Sequence, residues 1–165
     1  MNKKVSSNRS RPPHGKNFMA FISANWEEKA PSSAKAWEVA EYAAKRREEL
    51  AKLFPGKLIM LEAGGMKVRA NDTEYRFRPD TAFTYFTGWG SETVPDSVLV
   101  IDARKKTTKS HLFLRPTAGR ESNEFFANPM IGEFWTGPRP TLEDVEVQLG
   151  IPTHDLKKLD KKLKD

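Results

Sequence analysis

The spacing of hydrophobic and polar positions changes along the 165-residue chain, and these changes predict its helices and strands. Over residues 39–53 apolar positions recur every three or four residues, the spacing of one face of an α-helix. Ser32 and Ser33 are candidate N-caps for this helix, and Pro55-Gly56 ends it. The side chains expected to face inward are those of Val39, Ala43, Arg46, Leu50 and Leu53.

After this helix, short apolar runs bounded by glycine, proline or polar turns predict strands. They are "KLIMLEA" (57–63), "YRFR" (75–78), "FTYFTG" (83–88), "SVLVIDA" (97–103) and "HLFLRP" (111–116). Because no long crossover helix separates 57–63 from 83–87, we expect these two strands to be antiparallel neighbours, with a parallel pairing among the later strands.

The remaining segments predict helices and one irregular stretch. "FMAFISANWEE" is read as a short helix or an arm, and residues 117–133 as irregular. "TLEDVEVQLG" predicts a helix with Thr141 as N-cap, Asp144 completing a capping box and Gly150 as C-cap. "THDLKKLDKKLKD" predicts a further amphipathic turn. The predicted fold is therefore mixed α/β, with a largely antiparallel and partly parallel sheet flanked by helices.

The segment "FRPDTAFTYFTGWG" (77–90) is unusually rich in aromatic residues. In an extended strand, rings on both faces would place it in the middle of a sheet, so most of them are interpreted as core. Arg78 and Asp80 are expected to form a charge pair that fixes the turn before the strand. Trp135 differs, because it precedes a Gly-Pro loop in "EFWTGPRP", and a loop tryptophan is a candidate contact residue.

Composition narrows the class of protein. The chain has no cysteine, no apolar run long enough for a membrane span and no secretory signal, so we expect a cytoplasmic protein without membrane contact.

The net charge of +6 lies in the tails of the chain: residues 1–17 contribute +5 and residues 156–165 contribute +3, which leaves −2 for the rest. A near-neutral folded part argues against nucleic-acid binding. Residues 1–17 are predicted to be a disordered basic tail and 18–165 a single domain.

Motifs for chemistry are few. The three histidines, His14, His111 and His154, are far apart in the sequence and form no metal-binding motif. There is no cysteine nucleophile, no G-x-S-x-G and no phosphate-binding glycine loop. The sequence therefore predicts no catalytic residue and no metal ligand in this chain.

Several segments together resemble a known family. "RREELAKLFPGKLIML", "NDTEYRFRPDTAFTYFTGW", "SVLVIDA", "HLFLRP" and "GEFWTGPR", in this order, resemble the N-terminal domain of aminopeptidase P, the Xaa-Pro aminopeptidases of the creatinase/prolidase superfamily. The resemblance covers about residues 45–150, and "FRxDxxFxYFTG" is its most specific part. "SNEFFANPMIG" resembles an insertion of a bacterial subgroup.

The resemblance carries expectations about function. It implies a parent enzyme that removes the residue before proline from peptides with proline at the second position, using two divalent metal ions, usually Mn²⁺, that activate a water. Those ions belong to a catalytic domain that is expected to be absent from this chain, which would bind none and be inactive alone. The N-terminal domain is implied to form homo-oligomer contacts and to control access to the active site. Trp135 and Asp72 correspond to candidate pocket-wall residues, facing their own or a neighbouring subunit's site.

Two alternatives stay open at this point. The chain could be a free-standing protein-binding or assembly module, or the N-terminal domain of a prolidase-like or creatinase-like hydrolase. For the two candidate residues the structural alternatives are that Asp72 caps a turn and that Trp135 packs beneath a loop.

Overall fold

The computed structural model describes residues 15–27, 32–71, 73–120 and 122–164. The chain divides into two compact units: unit 1 comprises the described residues within Met1–Ala30 and Thr117–Pro138, and unit 2 those within Pro31–Pro116 and Arg139–Asp165. The helices are α1 (Lys16–Ser23), α2 (Val39–Leu53), α3 (Thr81–Thr87), α4 (Asn123–Ala127), α5 (Glu133–Thr136), α6 (Leu142–Leu149) and α7 (Leu159–Lys164). The strands are β1 (Leu58–Glu62), β2 (Val68–Ala70), β3 (Thr73–Glu74), β4 (Val98–Asp102), β5 (Lys109–Leu114) and β6 (Thr153–Asp155).

Unit 2 contains a four-stranded mixed sheet in the order β1-β4-β5-β6, and β2 and β3 form a separate antiparallel pair. Strand β4 is antiparallel to both β1 and β5, whereas β5 and β6 are parallel. The predicted mixed sheet, largely antiparallel with one parallel pair, is confirmed. The predicted neighbour of the first strand is wrong, because β1 pairs with β4 and not with residues 83–87.

The two faces of the sheet are covered differently. Helices α2, α3 and α6 pack on one face, where a single apolar cluster includes Phe83, Leu99 and Leu149. On the other face Val98, Val100 and Phe113 pack against Leu58 and against Leu156 and Leu159, which belong to a 3₁₀ turn (Leu156–Lys158) and to α7. Every residue of β4 is buried, so this strand is the centre of the unit.

The aromatic segment 83–88 is a helix and not the predicted strand. Asp80 caps α3, since its Oδ1 accepts hydrogen bonds from the backbone N–H groups of Ala82 at 2.8 Å and Phe83 at 3.3 Å. Gly88, with φ of 76°, ends the helix in the left-handed conformation. Phe83 and Thr87, one turn apart, are fully buried. The caps and this four-residue spacing outweigh the β-rich composition.

The segment before α3 also differs from its prediction. Residues 75–78 are extended but belong to no strand, and they follow the short pair β2–β3. Because the Asp80 carboxylate caps α3, it forms no charge pair with Arg78 among the described interactions.

Helix α2 begins later than predicted and buries only part of the predicted face. It starts at Val39, so neither Ser32 nor Ser33 caps it, and the Ser32 hydroxyl instead donates to the Asp144 carboxylate. Its buried residues are Ala43, Arg47 and Ala51, at strict four-residue spacing, whereas Leu53 is 74% exposed. Of the predicted inward residues Ala43 is buried and Leu50 packs against the core, whereas Arg47 is buried in place of Arg46.

The C-terminal part agrees better with its prediction. Thr141 Oγ1 accepts from the Asp144 N–H at 3.0 Å, Asp144 Oδ2 accepts from the Thr141 N–H at 3.4 Å, and Gly150 ends α6 with φ of 61°. The predicted capping box and C-cap are confirmed. The segment predicted as an amphipathic turn begins instead with β6, before the 3₁₀ turn and α7.

Unit 1 consists of α1, α4 and α5. The predicted irregular stretch 117–133 therefore contains a short helix, which Ser122 caps by accepting from the N–H of Phe125 at 3.2 Å. Of the predicted tail 1–17, residues 1–14 lie outside the described part, and Lys16 already begins α1. Among the described helices, none combines the length and the apolar character that crossing a membrane requires.

Candidate functional site

Trp135 lies on the one-turn helix α5 and is 55% exposed. Gly132 allows the chain to enter this helix, because a Cβ at this position would lie 2.6 Å from the carbonyl oxygens of Asn128, Glu124 and Phe125. The Trp135 indole Nε1 donates a hydrogen bond to the carbonyl oxygen of Phe126 at 2.6 Å. The ring is therefore held in one orientation while about half of its surface is open.

The helix that carries Trp135 is fixed through its first residue. Glu133 is buried, and its carboxylate accepts hydrogen bonds from Thr117 Oγ1 at 2.8 Å and from the Ala118 N–H at 2.6 Å. Because the Glu133 carboxylate accepts from a hydroxyl and a backbone N–H at once, it links residues 117–118 to the start of α5. Trp135 therefore lies on a helical turn that these hydrogen bonds hold in place.

Trp135 belongs to a larger group of rings in unit 1, the aromatic cluster. Its ring centroid lies 5.2 Å from that of Phe134 and 6.2 Å from that of Phe126. Edge-to-face contacts at 5.0 to 6.4 Å join the other members. The cluster consists of Phe18, Trp26, Phe125, Phe126, Phe134 and Trp135.

Part of the aromatic cluster faces solvent. Trp26 is 44% and Phe134 45% exposed, beside the half-exposed Trp135. Such a group of exposed rings is typical of a surface that contacts a ligand or a partner. The sequence predicts Trp135 as a contact residue but does not predict the other members of the aromatic cluster. The signal available was the clustering of aromatic residues in the segments 18–26 and 125–135.

The other candidate residue, Asp72, lies outside the residues that the structure describes. Among the residues that the structure describes, no three or more His, Cys, Asp or Glu side chains lie close enough to hold a metal ion.

Two of the three histidines, far apart in sequence, are neighbours in unit 2. His111 on β5 and His154 on β6 meet because these strands pair in parallel, and Nδ1 of His111 lies 2.9 Å from Nε2 of His154. Nε2 of His111 is buried and has no hydrogen-bond partner in the described part of the chain. Because a buried N–H without an acceptor is unfavourable, the geometry favours a neutral His111 that carries its proton on Nδ1 and donates to His154.

The surroundings of the histidine pair oppose its protonation. Burial is the main cause that lowers the pKa of His111 below its ordinary value of 6.5, and the positive charge of Lys162 lowers it further. Burial likewise lowers the pKa of His154, followed by the charge of Lys158. The negative charge of Asp102 raises the pKa of His111, and that of Glu146 raises the pKa of His154, but in both cases the net shift stays downward.

Comparison with known families decides what kind of domain this is. The sequence model described as "Aminopeptidase P, N-terminal domain" matches residues 42–165. The chain belongs to the aminopeptidase P N-terminal domain family. The resemblance inferred from the "FRxDxxFxYFTG" and "GEFWTGPR" segments is confirmed.

Relatives of this aminopeptidase P domain carry peptidase names. Xaa-Pro aminopeptidase 1 of Streptomyces coelicolor is 38% identical over 122 residues, which are 74% of this chain and 24% of the relative. Xaa-Pro aminopeptidase 2 of the same organism is 31% identical over 139 residues, 84% of this chain and 29% of the relative. The chain thus spans about a quarter of the length of the curated relatives it matches.

Solved structures support the same fold. Aminopeptidase P of Escherichia coli superposes with a TM-score of 0.60 at 24% identity, over 75% of this chain and 26% of that chain. At this level of identity the likeness concerns the fold alone, and it confirms the mixed α/β architecture of the aminopeptidase P N-terminal domain.

Proposed function

We propose that this chain is the non-catalytic N-terminal domain of a metal-dependent Xaa-Pro aminopeptidase. The observation that carries the proposal is the family match over residues 42–165, in a chain that spans only 24% to 29% of relatives named Xaa-Pro aminopeptidases. On this proposal residues 18–165 act as the N-terminal domain, and the peptide bond before proline is hydrolysed in a catalytic domain encoded further along the gene. The protein works in the cytoplasm as a homo-oligomer.

The metal ions of the reaction belong to that catalytic domain. Two divalent ions, which we propose to be Mn²⁺, would supply an activated water there. The described residues of this chain bring no three potential ligands together, so no step of the reaction is assigned to them.

Within the proposed enzyme, Trp135 forms part of the wall around the bound peptide, in its own subunit or across a subunit boundary. Its support is the combination of a half-exposed indole with a fixed orientation, since the Nε1 hydrogen bond to Phe126 and the neighbouring rings hold it in place. An aromatic ring held in this way contacts a ligand without first losing side-chain entropy. We also propose Asp72 as a pocket-wall residue, on the family resemblance alone.

The proposal is tested by comparing two proteins from the same gene: the 165-residue chain and the product of the complete reading frame. Both are assayed with Mn²⁺ and a tripeptide that has proline in the second position. We expect the complete product to release the first residue and the 165-residue chain to release none. Turnover by the chain that persists through further purification would contradict the non-catalytic assignment.

The same experiment separates the proposal from a free-standing binding or assembly module. A reading frame that stops at residue 165, or a complete product that binds proteins but cleaves no Xaa-Pro peptide, would favour the module. Preparing the complete product with and without a chelator shows whether the activity depends on a metal.

A further inference from the structure

Unit 2 contains an open cavity of about 460 Å³ that lies outside the aromatic cluster. One wall is formed by the segment after β1, from Ala63 to Lys67, and the other by the extended residues 75–81 that lead into α3. This second wall is the "YRFRPDT" stretch, in which aromatic and basic residues alternate.

Backbone hydrogen bonds hold the two walls of the cavity together. The N–H of Asp80 donates to the carbonyl of Ala63 at 2.9 Å, and the N–H of Tyr75 donates to the carbonyl of Lys67 at the same distance. Gly64, with φ of 82°, turns the chain between these contacts. The cavity is therefore built by the fold and does not require a ligand to form.

Three cations line the cavity without a partner. The side chains of Lys67, Arg76 and Arg78 form no hydrogen bond, ion pair or ring contact with any described residue. Among the described lining residues the only acid is Asp80, whose Oδ1 is occupied by the N-cap of α3. Three positive side chains and one negative side chain give an excess of positive charge, which attracts an anion into the cleft.

The shape of the cavity indicates what kind of anion fits. A volume of about 460 Å³ lies within the range of small-molecule sites and is much larger than an inorganic ion needs. Tyr75, whose side chain is exposed, lines the same cavity together with Phe77 and Pro79. This combination suits an organic molecule with an apolar part and a carboxylate, which guanidinium groups bind through paired hydrogen bonds.

We propose that this cavity binds small organic carboxylates of peptide size. The carboxylate lies among Lys67, Arg76 and Arg78, and the apolar part of the ligand lies against Tyr75. This inference does not rest on the proposed peptidase function, because it concerns binding by this chain and no hydrolysis.

The ligand chemistry is tested by titrating the ¹⁵N-labelled 165-residue chain with three probes at low salt. The probes are the tripeptide Ala-Ala-Phe, its C-terminal amide and inorganic phosphate. We expect saturable shifts in residues 63–67 and 75–81 with the tripeptide, and about tenfold or more weaker binding of the amide, which lacks the charge. Equal binding of acid and amide, absence of saturable binding, or phosphate binding as tight as that of the tripeptide would each overturn the proposal.

Charge variants with a matched control test which residues bind. Arg78→Gln and Arg76→Gln should each weaken tripeptide binding about tenfold. Arg69→Gln makes the same change on β2, where Arg69 is exposed and does not line the cavity, and should leave the affinity unchanged. An equal loss in Arg69→Gln would assign the effect to net charge and refute the site. If either cavity variant unfolds, Lys67→Gln at an exposed lining position provides the same test.

The probe tripeptide contains no proline, so the two proposals fail separately. Loss of binding in this titration leaves the peptidase assignment untouched, and an inactive complete gene product leaves the cavity assignment untouched.

Discussion

The guanidinium of Arg47 on α2 donates a hydrogen bond to the backbone carbonyl of Phe86 on α3 at 2.9 Å. Arg47 is 5% exposed, and burial lowers its pKa to about 10, against the raising effect of Glu48. The side chain therefore stays charged at neutral pH although it lies in the interior. Its partner is one of the last carbonyls of a helix, which carry partial negative charge and lack an intrahelical donor.

Replacing Arg47 by methionine should destabilise unit 2 by about 2–3 kcal/mol, because a charge-assisted hydrogen bond is lost and the Phe86 carbonyl loses this donor. Urea unfolding measures the difference. Arg46→Met is the matched control: Arg46 donates to the carbonyl of Tyr85 and lies 4.2 Å from the Tyr85 ring centroid, but it is not buried. We expect about 0.5–1 kcal/mol there, and similar losses in both variants would contradict the role given to burial.

Gly88→Ala should be the most harmful of the glycine substitutions at the helix ends of unit 2. The position combines φ of 76° with a close approach, since an added Cβ would lie 2.9 Å from Cγ1 of Val39. Gly56→Ala separates the two effects, because its φ is 75° and nothing lies within 4 Å of the added Cβ. We expect Gly56→Ala to cost about 1–2 kcal/mol and Gly88→Ala clearly more, measured by thermal unfolding. Equal costs would show that Val39 moves aside freely.

The stability of the chain should fall as the pH drops below about 6.5. His111 and His154 have lowered pKa values in the folded state, so below 6.5 the unfolded chain binds protons more readily than the folded chain. The stabilisation is complete above the ordinary pKa and is lost as the pH falls towards the folded-state values. Urea unfolding between pH 7.5 and pH 5 reports this loss.

A double variant, His111→Gln with His154→Gln, tests whether the pair causes the pH dependence. It should flatten the stability profile in this interval. A slope that persists in the double variant would assign the effect to other groups.

Trp135→Leu in the complete gene product should reduce kcat/KM for an Xaa-Pro tripeptide about 5- to 150-fold, the effect of losing one well-packed aromatic contact. Because the indole is half exposed, thermal unfolding should change little. Trp135→Phe keeps a six-membered aromatic ring and loses the smaller part of the indole with its Nε1 hydrogen bond to Phe126, so it should retain more activity than Trp135→Leu. A large drop in melting temperature with kcat/KM preserved would show that Trp135 is structural.

The sequence predicted those elements whose local signals agree with one another. For α6 the apolar spacing, the Thr141–Asp144 capping box and Gly150 all indicate the same helix, and the structure contains it. For α3 the signals conflicted. Its β-branched and aromatic residues favour a strand, and only the placement of Asp80 and Gly88 at its two ends indicated a short helix.

Contacts between distant segments could not be predicted from the sequence for a different reason. His111 and His154 meet through the pairing of β5 with β6, which depends on the whole sheet, and their distance in sequence gave no indication of it. Trp135 lies on α5 with its indole half exposed, and its place in a pocket wall stays a prediction. Its contacts with Phe126 and Phe134 depend on the fold of unit 1.

The order of strands in the sheet has a consequence for the growing chain on the ribosome. Strand β1 is the first strand of the sheet to be synthesised. Its partner β4 follows only after β2, β3 and α3 have been synthesised. At about 5–20 residues per second, the apolar segment "LIMLE" spends seconds outside the ribosome without its partner strand. Until β4 arrives and completes the pairing, the backbone N–H and C=O groups of residues 58–62 lack their partner strand, as those of an exposed sheet edge do.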